Sequence, residues 1–151
     1  MSGPLSHSPS QIIRQLLIDE GLASDGGTWP AYAIQEPDKP DNCITIYDTA
    51  GMNQGRFSVD GEVQETYGIQ IRVRSNDSQT SFVKARAIAI DLETVHLDIV
   101  SVTDPTGYGT SSMNYVIYNL SRRSGPLPLN DPDSDRKSWT INLLATLVEL
   151  T

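Results

Sequence analysis

The sequence predicts an α+β fold: a mostly antiparallel β-sheet with two helices packed on one face and long protruding loops. Three observations carry that prediction. Tyr67, Ile69, Ile71 and Val73 alternate with Gly68, Gln70, Arg72 and Arg74, the period of a strand buried on one face and wet on the other. Phe82, Ala85, Ala89 and Leu92, widened by Ile88 and Val95, recur at helical spacing. Trp139, Ile141, Leu143, Ala145 and Leu147 alternate again in a long last strand. With a short helix at the start, the order helix, strands, helix, strands describes two helices layered on one sheet.

The first helix follows Ser8-Pro9-Ser10, where Ser8 is an N-cap and Pro9 sits where its missing N–H is harmless. Ile12, Ile13, Leu16 and Leu17 form its apolar face, and Gly21 can end it. After the SDGGT turn, 29–35 reads as a short strand, placed near an edge by Pro30. Cys43 to Tyr47 is a strand rich in β-branched residues. Residues 49–61 hold Gly51, Gly55 and Asp60-Gly61, so they read as a long hairpin loop or a flexible arm. Asn76 or Asp77 starts the second helix, which should run to about His96. Residues 98–103 read as a strand and DPTGYGTSS as a loop. Met113 to Leu120 is a strand whose apolar run does not alternate cleanly, as expected of a central strand or one at an interface.

A chain of 151 residues fits one domain, 1–151, with residues 1–8 as a flexible tail. No apolar run is long enough to span a bilayer, and MSGPLSHSPS lacks the basic start and apolar core of a signal peptide. The single cysteine, Cys43, excludes an internal disulfide and fits a reducing cytosol. A net charge of -8 argues against gripping nucleic acid, which takes clustered Lys and Arg. It suits a protein that meets other proteins, or a surface past which DNA slides without sticking.

The stretch from Arg122 to Asn142 stands out. Gly125, Pro126, Pro128 and Pro132 stiffen it, and Pro cannot pair in an interior strand. Asp131, Asp133 and Asp135 alternate along it, followed by Arg136 and Lys137. The acidic run resembles the opening of a helix–loop–helix calcium loop, but the sixth and twelfth positions hold Arg136 and Asn142 where Gly and Glu are needed. No metal site is expected. His7 and His96 are the only histidines, too few for an imidazole site; His96 reads as a helix C-terminal residue favoured by the dipole. Neither a nucleophile elbow nor a phosphate-cradling Gly loop leads into a helix, so neither catalysis nor a cofactor is expected. Arg122, Arg123 and Arg136 are free to bind an anion, or to pair with Asp131, Asp133 and Asp135 within the chain or across an interface. Arg72 and Arg74 occupy the polar strand face and become interface residues if another subunit closes it.

In order along the chain, three elements resemble the tail terminator, or tail completion, proteins of long-tailed phages, including minor capsid protein-like members. They are the strand DNCITIYDTAG from Asp41, the strand YGIQIRVRS with the Ala-rich helix 78–96, and SGPLPLND followed by Arg136, Trp139 and Asn142. The loop departs from the family picture at Asn130, where Gly is more usual, and in Asp133 and Ser134. The resemblance implies a structural protein of the virion's head–tail junction, made in the host cytoplasm. It implies a homo-oligomeric ring, usually hexameric, that caps the tail tube protein and docks on the head's connector or stopper while DNA passes through its lumen unbound. The strand Met113 to Leu120 and the apolar loop residues Met52, Phe57, Leu127 and Leu129 are candidates for the buried ring surface. A head–tail connector ring is the near alternative. A small metal enzyme at Asp131–Asp135 and a monomeric binding module are the distant ones.

Overall fold

The computed structural model of the chain describes residues 5–56, 63–103, 112–129 and 135–150. Among them run α1 (Pro9–Asp19), β1 (Ala31–Ala33), β2 (Cys43–Arg56), β3 (Val63–Ser75), α2 (Ser78–Leu92), β4 (His96–Thr103), β5 (Ser112–Arg122), β6 (Leu127–Leu129) and β7 (Lys137–Leu150). The strands form one sheet in the order β1-β2-β3-β7-β5-β4, with β6 pairing β7 off that path. Only β1–β2 is parallel; the other pairings are antiparallel. The fold is α+β, with the helices over the sheet's inner face.

Local chemistry sets the helix ends. Ser8 accepts from the Gln11 amide while the Gln11 side chain accepts from the Ser8 amide, a reciprocal capping box that uses two otherwise orphaned donors. At the other end Gly21 adopts φ 76°, and the amides of Gly21 and Leu22 donate back to the Ile18 and Leu17 carbonyls. That left-handed closure favours glycine. Asp77 caps α2 by accepting from the Gln79 and Thr80 amides. The helix stops at Leu92 rather than near His96, and beyond it the chain closes in i to i−3 turns, the Thr94 amide and hydroxyl both donating to the Asp91 carbonyl and the Val95 amide to that of Leu92. His96 instead opens β4 and is exposed.

The strand period holds where the sheet is regular. Ile69, Ile71 and Val73 lie opposite Leu143, Ile141 and Trp139, and all but the half-buried Trp139 are buried. They meet Ile12, Ile13, Leu16 and Leu17 of α1 and Ala85, Ile88, Ala89 and Leu92 of α2 in one core. Phe82 packs against Trp139 with ring centroids 4.8 Å apart. In β5, Tyr115 and Ile117 point inward, but the next inward residue is Leu120. A bulge against β7 between Ile117 and Asn119 inserts the extra residue. The bulge shifts the inward parity after Ile117, and before it the run fails to alternate because Val116, on the outer face, is apolar as well as the inward Tyr115 and Ile117.

Two segments are more ordered than the sequence suggests. The stretch 49–61 is no open loop where described: β2 runs on to Arg56 and β3 begins at Val63. Beyond Tyr67, β3 no longer pairs with β7, so residues 50–56 and 63–66 leave the sheet as a two-stranded ribbon. At its root a Cβ on Gly51 would strike the Thr66 carbonyl, and one on Gly68 the Thr49 hydroxyl, so both positions require glycine for this close approach. The segment 5–8, expected to be flexible, is held: the Ser6 amide donates 2.9 Å to Glu149, and His7 meets the Tyr115 hydroxyl through its amide and through Nδ1 at 2.6 Å. Burial and the bond to Glu149 push the Tyr115 phenol up to about 12. Burial also works to raise the Glu149 carboxyl, but the bonds from Ser6 and Tyr115 outweigh it and hold that group below the usual carboxylate range.

Candidate functional surfaces

The outer face of the sheet, away from the helices, has two halves of different character. Over β2 and β3 the chain covers itself with the Pro-rich segment 34–42. Arg74, expected on a wet face, is only 5% exposed beneath it. Its guanidinium donates to the carbonyls of Pro40 at 2.7 Å, Asp41 at 3.2 Å and Asp38 at 3.3 Å, and lies 3.7 Å from the Glu36 carboxylate. Arg72, two residues along the same face, pairs with Glu36 at 3.3 Å and lies over the Tyr47 ring at 5.2 Å. Cys43 and Thr45 are fully buried under this clasp, and burial raises the Cys43 thiol. The two arginines therefore hold the chain's own loop in place.

Arg136 ties the Pro-rich stretch to the same clasp. It pairs with Asp38 at 3.3 Å and Asp41 at 3.0 Å, acidic partners distinct from the run that precedes it. The bond from Asn76, together with Arg136, holds the Asp41 carboxyl below its ordinary value. Arg122 pairs with Glu93 at the end of α2, 2.9 Å away. Asp135 is exposed, and the candidates Phe57, Asp131 and Asp133 lie outside the described residues. Met52 sits in the ribbon, its backbone opposite Thr66.

Leu127 and Leu129 do not stand on a free loop. They belong to β6, which runs along the β7 edge with Leu127 opposite Thr140 and Leu129 opposite Ser138. Pro128 is tolerated because β6 is an edge strand. Both leucines nevertheless keep their side chains in solvent, 49% and 40% exposed. Beside them a groove of about 310 Å³ is lined by Thr49, Ala50, Arg123, Ser124, Leu127 and Asn142 among others. It lies at the root of the ribbon, so the mid-chain arm, the Pro-rich edge and Arg123 converge on one region.

Among the described residues, none covers the other half of the outer face, over β4, β5 and the end of β7, in this way. Its residues pair across the strands as Ile99 with Val116 and Val116 with Val148. Leu97, Ile99, Tyr118 and Leu150 are exposed there. On α2, Val83 and Ile90 are 55% and 52% exposed, on the side opposite the core stripe. Sequence reasoning singled out the Met113–Leu120 strand as a candidate for an interface but missed β4 and the outer stripe of α2, although the signal is present: α2 is apolar on two faces, and β4 and β5 are apolar at both parities. Among the described residues, no group of three or more His, Cys, Asp or Glu is placed to hold a metal ion.

A family model described as bacteriophage tail terminator protein matches residues 16–149. No significant match is found among curated proteins. Among solved structures, a chain from "Virion of native gene transfer agent (GTA) particle" aligns with a TM-score of 0.52 at 13% identity, over 92% of each chain. At that identity the likeness is one of fold.

Proposed function

The chain belongs to the bacteriophage tail terminator family, structural proteins of the phage tail, and we propose that it closes into a ring, hexameric in the family's usual manner, that caps the tail tube. In this reading the ring stops tube polymerisation and then joins the tail to the head's connector or stopper protein, as part of the virion rather than as an enzyme. The observation that carries the reading is the ribbon of residues 50–56 and 63–66, which leaves the sheet with no third strand beside it among the described residues. An isolated two-stranded hairpin is marginal in water, so such an arm needs a neighbour to lie on. The exposed Leu127, which lines the groove at its root, and Leu129, two residues further along β6, supply apolar anchors already ordered by pairing with β7, which lowers the entropy cost of docking. A net charge of -8 suits a lumen through which DNA passes without sticking.

The test is the double variant Leu127→Ser, Leu129→Ser in a phage that carries it. Both side chains are exposed and lie outside the core, so the purified variant should keep its circular dichroism spectrum and most of its melting temperature. Tails should be overlong or detached from heads in electron micrographs. Virions of normal length and attachment from a folded double variant would remove this edge from the capping mechanism.

A further inference from the structure

We infer that neighbouring copies of this chain meet head to tail, the outer stripe of α2 on one copy seating on the bare half of the sheet's outer face on the next. The inference rests on the ring reading and names the surfaces that would close it. On α2 the buried residues Ala85, Ile88 and Leu92 define one side of the helix. Val83, Ala87 and Ile90, at i, i+4 and i+7, fall about 180° around it at 100° per residue, and all three are exposed. A soluble helix has one apolar face for its core. A second one points outward at something.

The matching surface lies on the far side of the same molecule. Cross-strand neighbours Ile99, Val116 and Val148 form an unbroken apolar row, with Leu97 and Tyr118 in the next row. The opposite half of that face is sealed by residues 34–42, which shows how this chain treats a face it does not leave for a partner. Dimensions agree as well: Val83 to Ile90 spans roughly 10 Å of helix, and three strands at their usual spacing also span roughly 10 Å. Helix on sheet is the packing the protein already uses internally.

Because the two surfaces lie on opposite sides of one chain, a second copy satisfies both, and the contact repeats. Such a heterologous contact makes a ring when its rotation closes. Any single partner of another kind would explain one surface and leave the other bare, whereas a second copy accounts for both at once. The contact supplies the apolar centre of a joint whose full extent should approach the roughly 800 Å² per partner of a stable interface, with the arm adding the rest.

The test uses full-length protein, alone and on isolated tail tubes, with sedimentation velocity and electron microscopy as readouts. Ile90→Lys and Ile99→Glu replace side chains that are 52% and 64% exposed, so each variant should stay folded by circular dichroism. Each alone should weaken association roughly 10- to 100-fold, since one charge would be buried unpaired at every joint. The double variant Ile90→Lys, Ile99→Glu should recover rings, because head-to-tail contact sets Lys against Glu throughout. Helix-to-helix or sheet-to-sheet contact would oppose like charges and make the double variant worse, which overturns the inference. Normal rings from both single variants overturn the contact while leaving the ring reading intact. Rings that form from Ile99→Glu but no longer cap tubes assign the sheet face to the tube protein, which also overturns it. A wild type that neither self-associates nor caps tubes overturns the ring reading and the contact with it.

Discussion

Arg74→Ala is the perturbation that best probes how the fold covers its own outer face. The side chain makes three hydrogen bonds to the carbonyls of Asp38, Pro40 and Asp41 and an ion pair with Glu36, at 7% side-chain exposure. Truncation leaves those carbonyls short of donors and removes one of the two guanidinium groups that meet Glu36 Oε2, on a carboxylate whose buried Oε1 already has no hydrogen-bond partner among the described residues. Breaking a buried charged pair costs about 3–5 kcal/mol, and the 20% exposure of the Glu36 side chain moves the expectation to the lower end, ~3 kcal/mol. Arg72→Ala removes a more exposed pair and a ring contact, worth about 1 kcal/mol. Arg74→Lys should fall between, since one ammonium cannot reach a fan of three carbonyls. Urea unfolding at fixed protein concentration, which keeps any oligomer linkage constant, measures all three. A cost for Arg74→Ala no larger than that for Arg72→Ala would refute the clasp. Loss from Arg74→Ala with no loss in the background of Glu36→Gln would reassign the energy to the carboxylate alone.

Two further predictions follow from the core and from the N-terminal anchor. Ile69→Asp places an unpaired carboxylate at 0% exposure and should cost several kcal/mol, enough to unfold a domain whose stability is about 5–15 kcal/mol; Gln70→Asp, on the half-exposed face, should be tolerated, and equal losses in denaturant melts would contradict the register. The Tyr115 phenol, raised to about 12, binds its proton more tightly folded than unfolded, so its contribution is complete below pH 10 and is lost between about pH 10 and 12. A shift of that size corresponds to roughly 2–3 kcal/mol. Melting temperature should therefore fall over that range in the wild type and fall less in Tyr115→Phe; parallel profiles would dismiss the linkage.

Much of this architecture is legible from short-range pattern. Ser8, Pro9 and Gln11 announce a capped helix, and the alternation in β3 and β7 fixes which side chains face the core, because a strand pattern survives wherever the ladder is regular. The pattern fails in β5 for two reasons: Val116 and Tyr118 make the outer face apolar too, and the bulge after Ile117 moves the next inward residue from 119 to 120. It fails at Arg74 for a long-range one. Nothing in an alternating strand reveals that a segment more than thirty residues earlier will fold over it and supply carbonyls to its guanidinium. Two partners of Arg136 are hidden in the same way: three nearby aspartates invite a local pairing, yet Arg136 also reaches Asp38 and Asp41, more than ninety residues earlier. The second apolar stripe of α2 is different again. Val83, Ala87 and Ile90 are plain in the sequence, but the core stripe alone suffices to predict a helix, so the outward face attracts no notice until the buried one is assigned.

The central claim, that this chain works as a ring on the end of a tail tube, is tested most directly by imaging it there. Purified wild-type protein added to isolated tail tubes should appear in electron micrographs as an annulus at one end, with class averages showing rotational symmetry, six-fold in the family's usual manner. Tube growth from added subunits should stop at the capped end. Protein that binds along the tube wall, or not at all, while both ends keep growing would contradict the account.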